Sequence, residues 1–343
     1  MKMMAAVKTV KGDFEIREVE KPDPEPDEVV IRIRSSGICG SDLRSWKVAR
    51  EELAGKIVGH EFSGDVVDVG QNLANVEVGD RVGVEPLVGC GNCYWCRIGQ
   101  YHICPELSHL REVFTGFAEY SKGPSLKFYK LPPTVSYDEA ALLDCLAVGV
   151  HAVHRTKVRI GNTVAVLGDG PIGLAATAVA AATGAKVYCI GHHSFRLDVA
   201  KKMGATQTIN SQQEDLFQVV ELTGGTGVDV VIETVGRNTP TIEQGLRLVR
   251  RGGVVAIVGS FASAQLVDVS SIRREEKDLI GVSSYAYWDN VPEFSVALGL
   301  LGERRIDVKP LITHKFPLER INEAFEAAAD RGKSKAIKVL VTP

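Results

Sequence analysis

The sequence predicts an α/β protein of two domains, an irregular and mostly antiparallel β domain and a doubly wound parallel sheet. Its 343 residues exceed the roughly 150 residues of a typical domain, so two hydrophobic cores are expected. Short β-rich runs separated by Gly, Pro and Asp fill the chain up to about residue 133. Strands and helices then alternate from 163 to about 282, which is the pattern of a parallel sheet.

The first domain begins with segments rich in Val and Ile. The clearest of them lie at 28–34, 64–69 and 80–84. Runs of this length bounded by turn residues are typical of short strands. Near Ser136 the pattern becomes helical.

The second domain is predicted from apolar strands separated by helical stretches. The strands are expected at 164–167, 186–190, 228–232, 254–258 and 279–282. Parallel neighbours at this spacing require right-handed crossovers.

The pattern changes again after Tyr285. Helices are predicted at about 291–301 and 318–330, and a strand at 336–341 is expected to return to the first domain. The predicted domains are therefore 1–147 together with 286–343, and 148–285.

Composition excludes several classes of protein. Forty Lys and Arg against 43 Asp and Glu leave a formal net charge of −3, so neither nucleic acid nor an anionic membrane is an expected partner. The longest weakly polar stretch, 172–182, is shorter than the roughly 20 residues of a membrane span. The N-terminus lacks the apolar core of a signal peptide. We expect a cytoplasmic protein.

A glycine-rich turn follows the first predicted strand of the second domain. Gly168, Gly170 and Gly173 are spaced as in dinucleotide-binding loops, with Pro171 and Ile172 opening the next helix. Glycine here permits a tight turn and close approach to a pyrophosphate, which the helix N-terminus attracts. The turn predicts a dinucleotide site rather than an ordinary surface loop.

The second strand of that domain bears on the choice of cofactor. An acid at its end normally accepts hydrogen bonds from the adenosine ribose, but here the position is Gly191. His192, His193 and Arg196 follow and could pair with a 2′-phosphate. This favours NADP(H) over NAD(H), the alternative being a solvated loop over NAD with Ser194 at the ribose.

Four cysteines lie within fifteen residues of the first domain. Their spacing is C-x2-C-x2-C-x7-C, in a lobe at 89–105, and they are Cys90, Cys93, Cys96 and Cys104. Four thiolates can enclose one Zn²⁺ in a closed, structural site. An iron–sulfur cluster or free thiols are the competing interpretations.

A second candidate metal site is dispersed along the chain. It comprises Cys39, His60 with the adjacent Glu61, and Asp144. One thiolate, one imidazole and one carboxylate balance the charge of Zn²⁺ and leave a position open, as a catalytic zinc requires.

In these motifs the sequence resembles the zinc-dependent medium-chain alcohol and polyol dehydrogenases over essentially its whole length. The matching segments are the four-cysteine lobe and residues 37–42, 59–64, 116–120, 168–173 and 228–233. The resemblance implies a GroES-like catalytic domain and a Rossmann domain. It also implies a homodimer or homotetramer, with the lobe near subunit contacts.

The resemblance further implies roles for individual residues. Cys39, His60 and Asp144 would bind the catalytic zinc, Glu61 would be able to enter the metal shell, and Asp42 would orient the histidine. Ser41 would begin a proton relay. Arg44 stands where the family often has a histidine, and since it cannot act as a base, it would contact cofactor phosphate or leave the proton to ribose and water.

The activity implied is hydride transfer between NAD(P) and a polyol, sugar alcohol or secondary alcohol, with two Zn²⁺ per chain. Ser284-Tyr285 replaces the Arg-Tyr pair of sorbitol-type members, and Ser45 replaces a common pocket aromatic, so the substrate is expected to differ from sorbitol. The alternatives are a zinc-free quinone reductase and a dinucleotide sensor without turnover.

Overall fold

The computed structural model describes residues 1–72, 75–107 and 114–343. These residues form two compact units. The first unit contains Met1–Asp144, Leu298–Glu303 and Ile312–Pro343. The second contains Cys145–Ala297 and Arg304–Leu311.

These bounds differ from the predicted domains after residue 285. Segments 286–297 and 304–311 belong to the second unit, whereas the prediction placed them in the first domain. Within the first of these segments the buried carboxylate of Glu293 accepts a hydrogen bond from the backbone N–H of Ala286 at 2.9 Å and lies 3.0 Å from the Nδ1 atom of His154 in the second unit.

The described residues form seventeen strands. In chain order they are β1 (Lys2–Lys8), β2 (Phe14–Glu20), β3 (Glu28–Gly37), β4 (Glu61–Val69), β5 (Arg81–Val84), β6 (Tyr120–Pro124), β7 (Phe128–Lys130), β8 (Thr163–Leu167), β9 (Lys186–Gly191), β10 (Gln207–Asn210), β11 (Val228–Glu233), β12 (Val249–Ile257), β13 (Asp278–Gly281), β14 (Tyr287–Trp288), β15 (Val291–Pro292), β16 (Ile312–Pro317) and β17 (Lys338–Thr342).

The helices are concentrated in the second unit. They are Gly40–Ser45, Tyr94–Arg97, Tyr137–Ala140, Leu143–Arg155, Pro171–Ala182, Ser194–Lys202, Gln218–Leu222, Thr241–Leu248, Val269–Glu275, Glu293–Gly302, Ile321–Ala329 and Arg331–Ser334. None of the described helices is both long and apolar enough to span a bilayer.

The first unit is built on a largely antiparallel sheet. Its order is β16-β17-β3-β4-β5-β7, with β6 on β3. The predicted return of the C-terminal strand is confirmed, because β17 pairs with β3 through Leu340 and Gly37. This pairing brings Lys338 into the region of the predicted metal ligands.

The second unit is the predicted doubly wound sheet. Its order is β10-β9-β8-β11-β12-β13, and every pairing in it is parallel. Nearly continuous apolar strands are buried on both faces, as parallel sheets require. The sequence missed β10, since Gln207–Asn210 is a polar edge strand with a single strongly apolar residue.

Candidate metal centres and dinucleotide site

Cys39, His60 and Glu61 meet in the first unit. Their ligand atoms all lie within 4.8 Å of one another. Cys39 precedes the helix Gly40–Ser45, and Glu61 begins β4 after a residue with left-handed backbone, Gly59 (φ +99°). The fold therefore assembles three of the predicted ligands from two short segments.

Asp42 supports two members of this group. One carboxylate oxygen, Oδ2, accepts a hydrogen bond from the backbone N–H of Cys39 at 3.0 Å. The other, Oδ1, lies 3.6 Å from Nδ1 of His60. A carboxylate facing one ring nitrogen orients the imidazole so that the other can bind a metal.

The charges around His60 fit a divalent cation. Burial alone would lower the pKa of His60, but the negative charges of Asp42, Cys39 and Asp144 raise it to about 10. His60 is only 3% exposed and Glu61 only 2%. Such a concentration of anionic groups around one buried imidazole favours a bound cation, and the donor set suits Zn²⁺.

Asp144 does not join the three-residue group. Among the residues that the structure describes, only Cys39, His60 and Glu61 bring their ligand atoms within 4.8 Å of one another at this site. Asp144 lies in the first turn of the helix Leu143–Arg155, close enough for its charge to act on His60. Glu61 therefore lies within this limit of Cys39 and His60, and the roles of Glu61 and Asp144 as zinc ligands stay predictions.

Lys338 is a charged neighbour that the sequence did not reveal. Its ammonium forms an ion pair with Glu61, and the two side chains are 3% and 2% exposed. A Cβ atom at Gly37 would lie 2.6 Å from Glu61 Oε2 and 3.1 Å from Lys338 Cε. Glycine at 37 therefore leaves room for this pair.

Ser41 and Arg44 lie on the helix that follows Cys39. Ser41 is half-buried, whereas Arg44 is exposed. Their predicted roles in proton transfer and phosphate binding stay predictions.

The four cysteines of the lobe also converge. Cys90 and Cys96 Sγ atoms are 4.0 Å apart, and those of Cys93 and Cys104 are 3.7 Å apart. Backbone N–H groups of Asn92 and Cys93 lower the pKa of Cys90 to about 7, which favours its thiolate. Four sulfurs within 4.8 Å of one another form a closed donor set that suits a structural zinc.

A buried carboxylate anchors this lobe to the sheet. Glu85 is fully buried and accepts hydrogen bonds from Tyr101 within the lobe, from Lys127 at 2.9 Å and from Tyr129 at 2.8 Å. The lobe is thus fixed to β5 and β7 by polar contacts as well as by the chain itself.

The glycine-rich turn has the geometry of a pyrophosphate cradle. Gly168 connects β8 to the turn with φ +114°, and a Cβ atom at Gly173 would lie 2.0 Å from the Gly168 carbonyl oxygen. No side chain caps the helix Pro171–Ala182 at Gly170, and a Cβ there would meet nothing within 4 Å. An open helix N-terminus of this kind binds anions.

The structure overturns one assumption behind the predicted preference for NADP(H). The sequence suggested that no fixed negative charge lies near Gly191. Asp169, the residue between Gly168 and Gly170, places its carboxylate there: a Cβ at Gly191 would lie 2.5 Å from Asp169 Oδ2. Its position inside the glycine motif was the available signal, but the contact depends on β8 and β9 pairing side by side.

The two residues that replace the Arg-Tyr pair of sorbitol-type members differ in how far they are buried. Tyr285 is fully buried, with its ring centroid 5.9 Å from that of Phe294, whereas Ser284 is half-buried with φ 53°.

Family comparisons match both units. The model described as "Alcohol dehydrogenase GroES-like domain" matches residues 25–133, and "Zinc-binding dehydrogenase" matches 171–300. Sorbitol dehydrogenase of Bacillus subtilis is 37% identical, covering 99% of this chain and 97% of that protein. L-Threonine 3-dehydrogenase of Pyrococcus horikoshii is 35% identical, covering 95% of each chain.

A solved structure shows the same fold. A protein of Sinorhizobium meliloti, described as a zinc-binding dehydrogenase and bound to NADP, superposes with a TM-score of 0.90 and 28% identity over all of both chains. The chain belongs to the zinc-dependent medium-chain alcohol and polyol dehydrogenase family, and the predicted GroES-like and Rossmann folds are confirmed. It is therefore a dehydrogenase that uses a nicotinamide cofactor.

Proposed function

We propose that this protein oxidises a secondary hydroxyl of a polyol, sugar alcohol or simple alcohol, and runs the reverse reduction of the ketone. In the forward direction the carbinol carbon gives a hydride to C4 of the nicotinamide, and the hydroxyl gives up its proton. The group of Cys39, His60 and Glu61 carries the proposal, because a cation held there would stabilise the negative charge that develops on the alcohol oxygen.

The metal residues have distinct tasks. Zinc held by Cys39, His60 and Glu61 would supply Lewis acidity, which lowers the pKa of an alcohol hydroxyl. Asp42 holds the His60 ring toward the metal and Lys338 balances the charge of Glu61. Asp144 adds negative charge near His60.

Proton transfer is assigned to the helix Gly40–Ser45. Ser41 is half-buried, so its hydroxyl can accept the proton and pass it on. Arg44 is exposed and cannot serve as a base near neutral pH. It remains a candidate for contact with cofactor phosphate.

Two zinc ions per chain, a homodimer or homotetramer, and a cytoplasmic location complete the proposal. The closed sulfur set of the lobe supports the second zinc. Sorbitol is a polyol and threonine carries a secondary hydroxyl at position 3, so the names of the two relatives support the substrate class. The predicted preference for NADP(H) depends on the charges around Gly191, and the Asp169 carboxylate there weakens its premise.

Metal analysis combined with a turnover screen tests this function. Wild-type protein is expected to contain two zinc ions and to oxidise at least one of a panel of polyols and secondary alcohols with NAD or NADP. Cys39→Ala should keep one zinc and lose at least a thousandfold in kcat/KM. Near-normal turnover in Cys39→Ala would show that the metal assignment is wrong.

A paired comparison distinguishes the two carboxylates. Glu61→Gln should lose the zinc at Cys39 and His60 to a chelator more readily than wild type does. Asp144→Asn should retain more of this zinc than Glu61→Gln under the same conditions. The opposite order would return Asp144 to the third ligand position.

A further inference from the structure

The carboxylate of Asp169 is tightly held at the carboxyl end of β9. Its Oδ2 atom accepts hydrogen bonds from the backbone N–H groups of His192 at 2.9 Å and His193 at 2.8 Å. Nδ1 of His193 lies 3.0 Å from the same oxygen. Asp169 is only 6% exposed, so this is a fixed carboxylate rather than a mobile surface one.

The same carboxylate engages the cation nearest to it. Nη1 of Arg196 lies 3.7 Å from Asp169 Oδ1, and the Arg196 side chain is only 3% exposed. Of the residues predicted to bind a 2′-phosphate, His193 and Arg196 face Asp169 with their side chains, and His192 and His193 with their backbone N–H groups. A second anion would have to compete with the carboxylate for them.

Asp169 and a side chain at position 191 exclude one another. A Cβ at Gly191 would lie 2.5 Å from both Cβ and Oδ2 of Asp169, and 2.7 Å from its Cγ. An acid at the end of β9 would place its carboxylate where that of Asp169 already lies. The chain thus retains an acid beside this strand end, but supplies it from the turn after β8.

We propose that Asp169 is the specificity-determining residue of the adenosine-ribose subsite and makes this protein select NAD(H) over NADP(H). This inference depends on the proposed use of a nicotinamide cofactor. Ribose hydroxyls donate hydrogen bonds to a carboxylate, and such charge-assisted bonds are strong. A 2′-phosphate carries negative charge, removes the donor hydroxyl and meets a carboxylate already bonded to the local N–H groups, so it is repelled.

Equilibrium binding of NADH and NADPH to the wild-type protein is the first test. Quenching of intrinsic fluorescence should give a Kd for NADH at least tenfold below that for NADPH. Adenosine 2′,5′-bisphosphate should compete with NADH less well than AMP does. Equal or tighter binding of NADPH would overturn the role of Asp169 and leave the proposed dehydrogenase intact, whereas absence of binding by both cofactors would overturn both proposals.

Variants then assign the selectivity to this side chain. Asp169→Asn removes the charge with little change of shape and should reduce the NADH preference at least tenfold, in Kd and in the kcat/KM ratio. Asp198→Asn is the matched control, because Asp198 is an exposed acid on the helix Ser194–Lys202, and it should leave the preference unchanged. Unaltered selectivity in Asp169→Asn would refute the proposal.

A relocation variant keeps the test decisive if Asp169→Asn folds poorly. In the double variant Asp169→Gly with Gly191→Asp, the acid moves from the turn to the end of β9, into the space that Asp169 vacates. NADH preference should return to within about threefold of wild type. Failure to restore it in a folded double variant, as judged by circular dichroism, would contradict a role defined by the position of the charge.

Discussion

Single residues at the metal site depend on buried charges that balance one another. Glu61 and Lys338 form an ion pair with almost no exposure to solvent. Desolvating two charges is costly, and removing one partner leaves the other uncompensated. The pair is therefore sensitive to substitution at either end.

Lys338→Met tests this balance. We expect the metal-free variant to lose about 3–5 kcal/mol in free energy of unfolding, because Glu61 is left as an unpaired buried carboxylate. The loss should be smaller in the zinc-loaded variant, since the metal can compensate Glu61. Urea denaturation with and without chelator measures both values.

Lys333→Met is the control for that experiment, since Lys333 is exposed. It should change stability by no more than about 0.5 kcal/mol. A loss in metal-free Lys338→Met as small as in the control would argue that Lys338 does not compensate Glu61.

At the scale of elements, one carboxylate fastens the hairpin β14–β15 to the second unit. Asp289 and Asn290 turn the hairpin with φ 48° and 64°, a combination that Asp and Asn tolerate better than most residues. Glu293 then lies 2.8 Å from Nδ1 of His151 and accepts the Ala286 N–H. This contact fixes the segment beyond 285 in the second unit.

Glu293→Gln is expected to destabilise the protein in a pH-dependent way. Burial alone would raise the pKa of Glu293, but hydrogen bonds from His151 and His154 lower it from 4.5 to about 2. A carboxyl group whose pKa is lower in the folded than in the unfolded protein stabilises the fold at pH values above its unfolded pKa. This stabilisation is lost as the pH falls toward the folded pKa.

The variant should therefore be less stable than wild type by about 1–3 kcal/mol at neutral pH. The difference should shrink between pH 4.5 and about 2. Denaturation midpoints at neutral and acidic pH measure it, and a difference that stayed constant down to pH 2 would contradict the role of the ionised carboxylate.

At the scale of the whole molecule, the two proposed zinc sites are separable. The site at Cys39 is made from dispersed residues, whereas the lobe is closed by cysteines near one another in sequence. Binding to a closed site contributes directly to folding. Loss of either metal should then have a different consequence.

Cys93→Ser should reduce the zinc content to about one ion per chain and lower Tm by several degrees, while turnover per remaining zinc stays near normal at low temperature. Cys39→Ala should also leave about one zinc ion per chain, but with little change in Tm and with loss of turnover. Metal analysis, thermal denaturation and assays of both variants measure this, and equal effects of the two substitutions would contradict separate roles.

The sequence by itself determined the features that depend on neighbouring residues. The turn from β8 through Gly168 to Gly173 follows from glycine spacing and the N-terminus of the next helix. The four cysteines of the lobe are close because the chain between them is short. Most strands of the parallel sheet were predictable, because their apolar runs are continuous.

Tertiary structure alone decided the contacts between distant segments. Asp169 reaches Gly191 because β8 and β9 are neighbours, and Lys338 reaches Glu61 because the last strand pairs with β3. Cys39 meets His60 and Glu61 because β3 pairs with β4, with Gly37 opposite Glu61. Periodicity and spacing encode local geometry, but strand order and register place distant side chains together, and these are set by the packing of the whole sheet.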